Sequence, residues 1–282
     1  MVNIAKLWRE FSKSRTAIAG LIIIIAFSIV ALAAPIIAPY NPKAKVGDKF
    51  TPPNSKYLLG TDNMGRDVFS WIIYGTRISL LVGILAALLG TIIGTVVGLV
   101  SGYYGGLLDV LLMRVSDVFL TIPFIPLAML FAMYFGPNIW NVIFLLGFMT
   151  WPGAARQIRS QVLYLREAVF IEAARAIGAD SKRIIFSHLL PNVVGVIVAN
   201  IVTRVVGAIL AEAGLSFVGV SDPTNVSWGL LINYGMRSAA LYYGAWWTLV
   251  PPGACIALLS VSFSLLGNGI FHVVNPRLKA QT

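Results

Sequence analysis

The stretch EAARAIGADSKRIIFSHLLPN, residues 172–192, is the polar segment from which the rest of the chain can be interpreted. It lies between long apolar runs in a protein whose mean hydropathy is +0.83. Gly178 most easily adopts the left-handed conformation that ends a helix, and Asp180 or Ser181 can cap the next one. We therefore predict two short helices joined at a glycine turn, the second ending just before Pro191.

The composition around this segment is that of a membrane protein. Hydrophobic residues occupy 58% of the 282 positions and charged residues 11%, whereas soluble domains carry roughly 25% charged residues. A helix needs about 20 apolar residues to cross the hydrocarbon core. Six runs meet or approach that length: 17–39, 78–101, 118–135, 138–155, 193–217 and 246–271. We expect an all-α polytopic bundle of about six transmembrane helices, the third kinked at Pro123 and Pro126.

Residues 1–76 are expected to form an N-terminal part of the bundle. Four apolar residues at helical spacing predict an interfacial amphipathic helix: Ile4, Leu7, Trp8 and Phe11. The run 17–39 is longer than the roughly 7–15 apolar residues of a signal peptide, so it is predicted to remain as the first transmembrane helix. In the external segment that follows, Asp62 or Asn63 is expected to cap a short helix leading to the second span.

The net charge of +10 is explained by orientation in the membrane. Lysine and arginine are concentrated in the N-terminal tail and in residues 156–183, which favours cytoplasmic termini. Anionic lipid headgroups attract the same charges, and no basic-aromatic module indicates nucleic-acid binding. The single cysteine, Cys255, excludes an internal disulfide, and His188 and His272 are too far apart in sequence to suggest a metal site.

The second run has a glycine at every fourth position. Residues four apart share one helix face, so these glycines form a groove that lets another helix approach closely. They are Gly90, Gly94, Gly98 and Gly102.

Two charges lie inside the fifth run. Arg204 and Glu212 are about 12 Å apart along a helix and roughly 80 degrees apart around it, too far for a simple direct pair. A charge in hydrocarbon costs on the order of 3 kcal/mol. Two interpretations stay open: structural partners buried against other helices, or the wall of a hydrated pathway.

The polar segment resembles the EAA loop of permease subunits in prokaryotic ATP-binding-cassette importers. The pattern of that loop is E-A-A, three residues, G, nine residues, I, one residue, then L-P. The matching positions are Glu172, Ala173, Ala174, Gly178, Leu190 and Pro191. His188 stands at the isoleucine position, a departure that resembles the peptide-transporter branch of the family.

Two further segments resemble the C-type permease subunit of dipeptide and oligopeptide importers. Residues 59–68, LGTDNMGRDV, are similar to its L-G-T-D and G-R-D-V segment. Residues 212–229, EAGLSFVGVSDPTNVSWG, are similar to its E-A-x-L-S-F-L-G segment and the S-W-G that follows. Val218 and Ser221 depart from the common form. Four residues of these segments are candidate contacts for an external partner: Asp62, Arg66, Asp67 and Trp228.

This resemblance implies a type I importer permease fold, with residues 77–282 as the core permease domain, in a prokaryotic cell membrane. It also implies a second related permease, two cytoplasmic ATPase subunits and an external solute-binding protein. The EAA segment would be the coupling helix that docks on an ATPase. The chain has no G-x-x-x-x-G-K-[ST] loop, so ATP and Mg²⁺ are expected in the partner subunits, with no cofactor or metal in this chain.

Alternatives from other classes are an intramembrane serine protease and an ion-coupled secondary transporter. The first would use Ser216 with His188 or His272, although these are predicted at opposite membrane faces. The second would use Arg204 and Glu212. Within the importer family, cargo other than peptides, such as nickel or oligosaccharides, also stays open.

Overall fold

The computed structural model describes residues 11–12, 14–220 and 222–274. The predicted N-terminal amphipathic helix therefore lies outside the described residues, except for Phe11. The all-α prediction is confirmed, since the described part contains helices and only two isolated β-bridges. The helices are α1 Arg15–Leu32, α2 Ala34–Ile37, α3 Val68–Tyr104, α4 Gly106–Thr121, α5 Phe124–Phe135, α6 Ile139–Arg166, α7 Val169–Ala176, α8 Ser181–Val218, α9 Trp228–Arg237 and α10 Val250–Val274.

Length and apolar composition support fewer spans than the expected six. Among the described helices, α1, α3, α8 and the segment Trp246–Phe271 meet both criteria. The pair α4 and α5 adds a fifth only if it is counted as one span, since the two helices are bent by 87°. The helix α6 is long enough, but Pro152 and three arginines, Arg156, Arg159 and Arg166, make it less apolar.

The break between α4 and α5 follows from proline chemistry. Ile122 precedes Pro123 and adopts an extended conformation, as the proline ring demands of its neighbour. Pro126 lies in the first turn of α5, where backbone N–H groups have no partner within the helix. The missing N–H of proline therefore costs no helix hydrogen bond there. The expected kink is therefore a full break at Pro123.

The start of α3 differs from the expectation. The cap is Asp67, whose carboxylate accepts a hydrogen bond from the backbone N–H of Ser70 at 2.7 Å. The expected cap at Asp62 or Asn63 is wrong, because the Asp62 carboxylate binds Arg66 instead. From Val68, α3 runs for 37 residues, about 55 Å at 1.5 Å per residue. The predicted boundary between the N-terminal part and the core permease domain, at residue 76, falls within α3 and stays a prediction.

The glycine face of α3 lies against α6 in the most extensive helix–helix contact of the described chain. A β-carbon at Gly94 would lie 2.7 Å from the carbonyl oxygen of Trp151, and one at Gly98 would lie 2.7 Å from that of Ala155. The other two glycines face Thr150 and Val162 of α6. The backbones of α3 and α6 therefore approach too closely for any side chain between them.

The remaining long helices complete the bundle. α8 packs against α3 and α10, and α10 packs against α1. The buried core between them includes Trp71, Ile209, Trp228 and Leu259. At the end of the bundle that carries the predicted external segment, the indole N–H of Trp247 donates to the carbonyl of Thr61 at 3.0 Å, which ties the loop before α3 to the start of the last helix.

The predicted helix end before Pro191 is wrong, because α8 continues from Ser181 to Val218. Residues Ile184–Leu189 form a π-helical turn in which the N–H of Leu190 bonds to the carbonyl of Ile185. The wider turn accommodates the proline ring, which would clash with a carbonyl of an ordinary helix. The Asn192 side chain donates to the His188 carbonyl at 2.6 Å, adding a bond where the helix ladder is irregular.

Candidate functional site

The polar segment forms the predicted helix, glycine turn and helix. α7 ends at Ala176, and Gly178 adopts a φ of +84°, a left-handed conformation that residues with a side chain rarely adopt. The N–H of Ala179 returns to the carbonyl of Ala174 at 3.0 Å and closes the turn. Asp180 then accepts a hydrogen bond from the N–H of Arg183 at 2.9 Å and caps α8.

The inner side of this element is anchored in the bundle. Ile171 of α7 and Ile184 and Leu189 of α8 are buried against Ile158 and Val162 of α6. This apolar cluster fixes α7 to the end of the α3–α6 pair. Movement of α7 would therefore be transmitted to both helices as well as to α8.

The outer side of the element exposes an apolar stripe. Val169, Ala173 and Ile177 recur every four residues, so they lie on one side of α7 and its C-terminal cap. The side chains of Val169 and Ile177 are 79% and 83% exposed, respectively. We call these three residues the docking face. Large apolar side chains exposed on a polar segment are typical of a protein interface.

The residues predicted to dock are divided between the two sides. Glu172, Ala173 and Gly178 are exposed, as contact with a partner requires. Ala174 is 5% exposed and packs inward, so its expected direct contact is not supported. The prediction missed Val169 and Ile177. Their periodic spacing outside the E-A-A letters was the signal that could have identified them.

The end of the EAA pattern lies on α8, beyond the turn. His188 is half-buried, with its ring 6.5 Å from that of Phe170. Leu190 is half-buried and Pro191 is exposed on the same helix. These positions adjoin the π-helical turn, so they shape the connection between α7 and the membrane helix.

The segment predicted to be external forms a brace within the chain, which we call the external brace. Asp62 and Arg66 make a buried ion pair at 2.6 Å, and the Arg66 guanidinium lies 4.3 Å from the Trp71 ring centroid and 4.7 Å from that of Tyr234. Both charged side chains are at least nine-tenths buried within the chain itself. Both side chains therefore have a structural role within the chain, and their expected contact with an external partner stays a prediction.

Asp67 and Trp228 also have structural roles within the chain. Asp67 is 1% exposed and caps α3. Trp228 is fully buried, and its indole N–H donates to the Ile72 carbonyl at 3.0 Å. In return, the indole N–H of Trp71 donates to the Ser227 carbonyl at 2.9 Å. This reciprocal pair joins the start of α3 to α9.

Arg204 and Glu212 have separate partners. The guanidinium of Arg204 donates to the Thr150 carbonyl of α6 at 2.7 Å, and its Nε has no hydrogen-bond partner in the part of the chain that the structure describes. Glu212 is 3% exposed, and its Oε1 accepts a hydrogen bond from Ser216 at 2.6 Å. The side chains of Ser79 and Ser227 also lie near the carboxyl group. The two charges therefore bind different elements, as their spacing predicts.

The serine protease interpretation is not supported by this geometry. Ser216 and His188 lie on the same helix, 28 positions apart, which places them about 42 Å apart along its axis. Over the described ranges, no group of three or more His, Cys, Asp and Glu residues is arranged to hold a metal ion.

Comparison with known proteins identifies the family. Residues 94–280 match the model of the binding-protein-dependent transport system inner membrane component, and residues 4–55 match the N-terminal TM domain of oligopeptide transport permease C.

Individual relatives match over nearly their full length. The dipeptide transport system permease protein DppC of Escherichia coli K12 is 36% identical over 99% of this chain and 95% of its own. The proteins of the same name from Bacillus subtilis and Alkalihalophilus pseudofirmus are each 35% identical, covering 96% and 97% of this chain and 85% and 91% of theirs. The chain therefore belongs to the family of inner membrane components of binding-protein-dependent transport systems, the permease subunits of ATP-binding-cassette importers.

Proposed function

We propose that this chain and a second related permease form the pathway for di- or oligopeptides in an importer. An external solute-binding protein delivers the peptide, and ATP hydrolysis in two partner subunits drives its passage. The relatives named as dipeptide transport permeases support the peptide cargo. No comparison favours nickel, oligosaccharides or ion-coupled transport over peptides.

The observation that carries this proposal is the exposed docking face, which lies directly before the long helix α8. Val169, Ala173 and Ile177 offer an apolar contact, while the exposed Glu172 and Arg175 can fix its register. The next helix runs without a break from Ser181 to Val218. One of the two ATPase subunits would hold this face, so closure of the pair would tilt the helix. Binding of ATP would therefore favour one of two bundle conformations.

The same mechanism requires the docking face to be cytoplasmic. The excess of lysine and arginine in the N-terminal tail and in residues 156–183 favours cytoplasmic termini and a cytoplasmic α7. The sequence contains no Walker A loop, which supports binding of ATP and Mg²⁺ by separate subunits.

Reconstitution of the complete transporter in liposomes tests the proposal. Wild-type complex with its binding protein should accumulate dipeptide only when ATP is supplied on the ATPase side. Ile177→Glu should reduce uptake at least tenfold, because a charge buried in an apolar contact leaves a desolvated, unpaired group. Ile177→Leu is the matched control and should retain uptake.

The outcomes separate the classes of transporter. Uptake that follows a proton gradient without ATP would contradict the proposal and favour a secondary transporter. Equal uptake by the glutamate and leucine variants would show that the docking face has no coupling role.

A further inference from the structure

Glu212 lies at a cleft that belongs to neither the docking face nor the external brace. The cleft is bounded by α3, α6, α8 and residues 222–227, and its cavity has a volume of about 10 Å³, room for one group the size of a water molecule or an ammonium. Its polar lining comprises Glu212, Asp222, Asn225 and Ser227, with aliphatic side chains on the walls. Glu212 is six residues before Val218, about 9 Å from the helix end. The cleft therefore adjoins the end of the bundle that is proposed to be external.

The ionisable residues that line the cleft are all acidic. Two of its lining residues carry carboxyl groups, and none of the described lining residues is basic. Asp222 accepts hydrogen bonds from the backbone N–H of Thr224 at 2.8 Å and from the Asn225 side chain at 2.9 Å. Its negative charge therefore meets neutral dipoles and no cation in these contacts. A cationic group entering the cleft would be attracted by both carboxylates.

The Glu212 carboxyl group has an unused acceptor. Its Oε1 binds Ser216, but among the described residues no group donates a well-aligned hydrogen bond to Oε2, although the side chain is 97% buried. A buried carboxylate oxygen without a partner is costly, so the site is suited to a ligand that supplies a donor. The hydroxyl of Ser79 is also buried and lies close to the same carboxyl group, with which it interacts.

We propose that Glu212 binds the free amino terminus of the transported peptide in the cleft between α3, α6 and residues 222–227. A primary ammonium has three donors and one positive charge, which match the carboxylate and the neighbouring amide and hydroxyl oxygens. Every unmodified peptide carries this group whatever its side chains, so one site serves many sequences. The proposal rests on the proposed peptide import.

Transport kinetics provide the first test. The complete transporter in liposomes is supplied with its binding protein and L-alanyl-L-alanine, and three forms are compared: wild type, Glu212→Gln and Glu212→Asp. Glutamine keeps the size and hydrogen bonding of the side chain but removes its charge. We expect the maximal uptake rate of Glu212→Gln to fall about tenfold or more, with an unchanged KM for the loaded binding protein and partial recovery in Glu212→Asp.

A thiol-protection experiment tests the ammonium chemistry separately from transport. In the complete transporter with Cys255 replaced by serine, Ile139→Cys places a thiol on the cleft wall, and the exposed neighbour Trp140→Cys is the control. L-alanyl-L-alanine should slow labelling of Ile139→Cys by a polar thiol reagent, whereas its N-acetyl derivative should not. Glu212→Gln should abolish the difference, and Trp140→Cys should show none.

The results distinguish this proposal from the proposed function. Absence of dipeptide uptake by the wild-type transporter would contradict peptide import itself. Normal wild-type uptake with an unaffected Glu212→Gln variant would overturn only the role of Glu212. Equal protection by the free and acetylated dipeptides would also overturn it, because the amino terminus would then make no difference.

Discussion

Replacing Gly94 with alanine tests the close contact between α3 and α6 with the smallest available change. The added β-carbon would lie 2.7 Å from the carbonyl oxygen of Trp151 and 2.9 Å from the backbone nitrogen of Ala155, and closer still to the Ala154 side chain. These are mostly backbone atoms, so no side-chain rotation can relieve the overlap. The two helices would have to separate.

The magnitude follows from this overlap. Overpacking by one methyl group in a close-packed interior costs about 1–3 kcal/mol, and a gap of about 0.5–1 Å forfeits a quarter to a half of each dispersion contact. Alanine also gains about 1 kcal/mol of helix propensity over glycine. Gly207→Ala has the same propensity gain, but its β-carbon would meet no atom within 4 Å in this chain. The difference between the two variants therefore isolates the packing cost.

The assay is thermal unfolding of the purified chain in detergent. We expect Gly94→Ala to unfold at a lower temperature than Gly207→Ala, by about 2–4 °C for each kcal/mol. The larger Gly94→Leu should prevent recovery of the assembled complex. Equal unfolding temperatures for the two alanine variants, or normal recovery of Gly94→Leu, would refute the close α3–α6 contact.

Three further variants test the external brace and the helix cap. Asp62→Asn leaves the buried Arg66 without its carboxylate and should lower the free energy of unfolding by about 3–5 kcal/mol, measured by chemical denaturation; an unchanged midpoint would show that the pair contributes nothing. Trp228→Phe removes one indole hydrogen bond and should cost about 1–3 kcal/mol in the same measurement, whereas full stability would contradict the reciprocal tryptophan pair. Asp180→Ala removes the cap of α8 and should cost about 0.5–2 kcal/mol locally, seen as faster amide hydrogen exchange in its first turn; unchanged exchange there would contradict the cap.

Patterns with a strong local cause were predictable from the sequence. The glycine turn followed from the conformational freedom of Gly178, and the α3 groove followed from glycines four residues apart. Both depend on rules that act within one helix or turn. The same rules limited the cap of the second polar helix to Asp180 or Ser181, and the structure shows that it is Asp180.

Features that depend on distant parts of the chain were not predictable in this way. Pro191 marked a helix end in sequence, but a π-helical turn lets α8 continue past it. Trp228 and Asp62 belonged to motifs that suggested partner contacts, and only the fold shows that they are buried. The exposure of Ile177 likewise depends on which side of α7 packs against α6. The family motif does not indicate that side.

The contact between the docking face and an ATPase subunit is the central claim of this account. Its most direct test is crosslinking of Ile177→Cys in the assembled transporter, with Cys255 replaced by serine. The matched control is Tyr134→Cys on α5, since Tyr134 is 84% exposed and Ile177 83%. A short crosslinker should join Ile177→Cys to the ATPase subunit and leave Tyr134→Cys unlinked to it. Reaction of Ile177→Cys with lipid or soluble thiols alone, in an intact complex, would contradict the account.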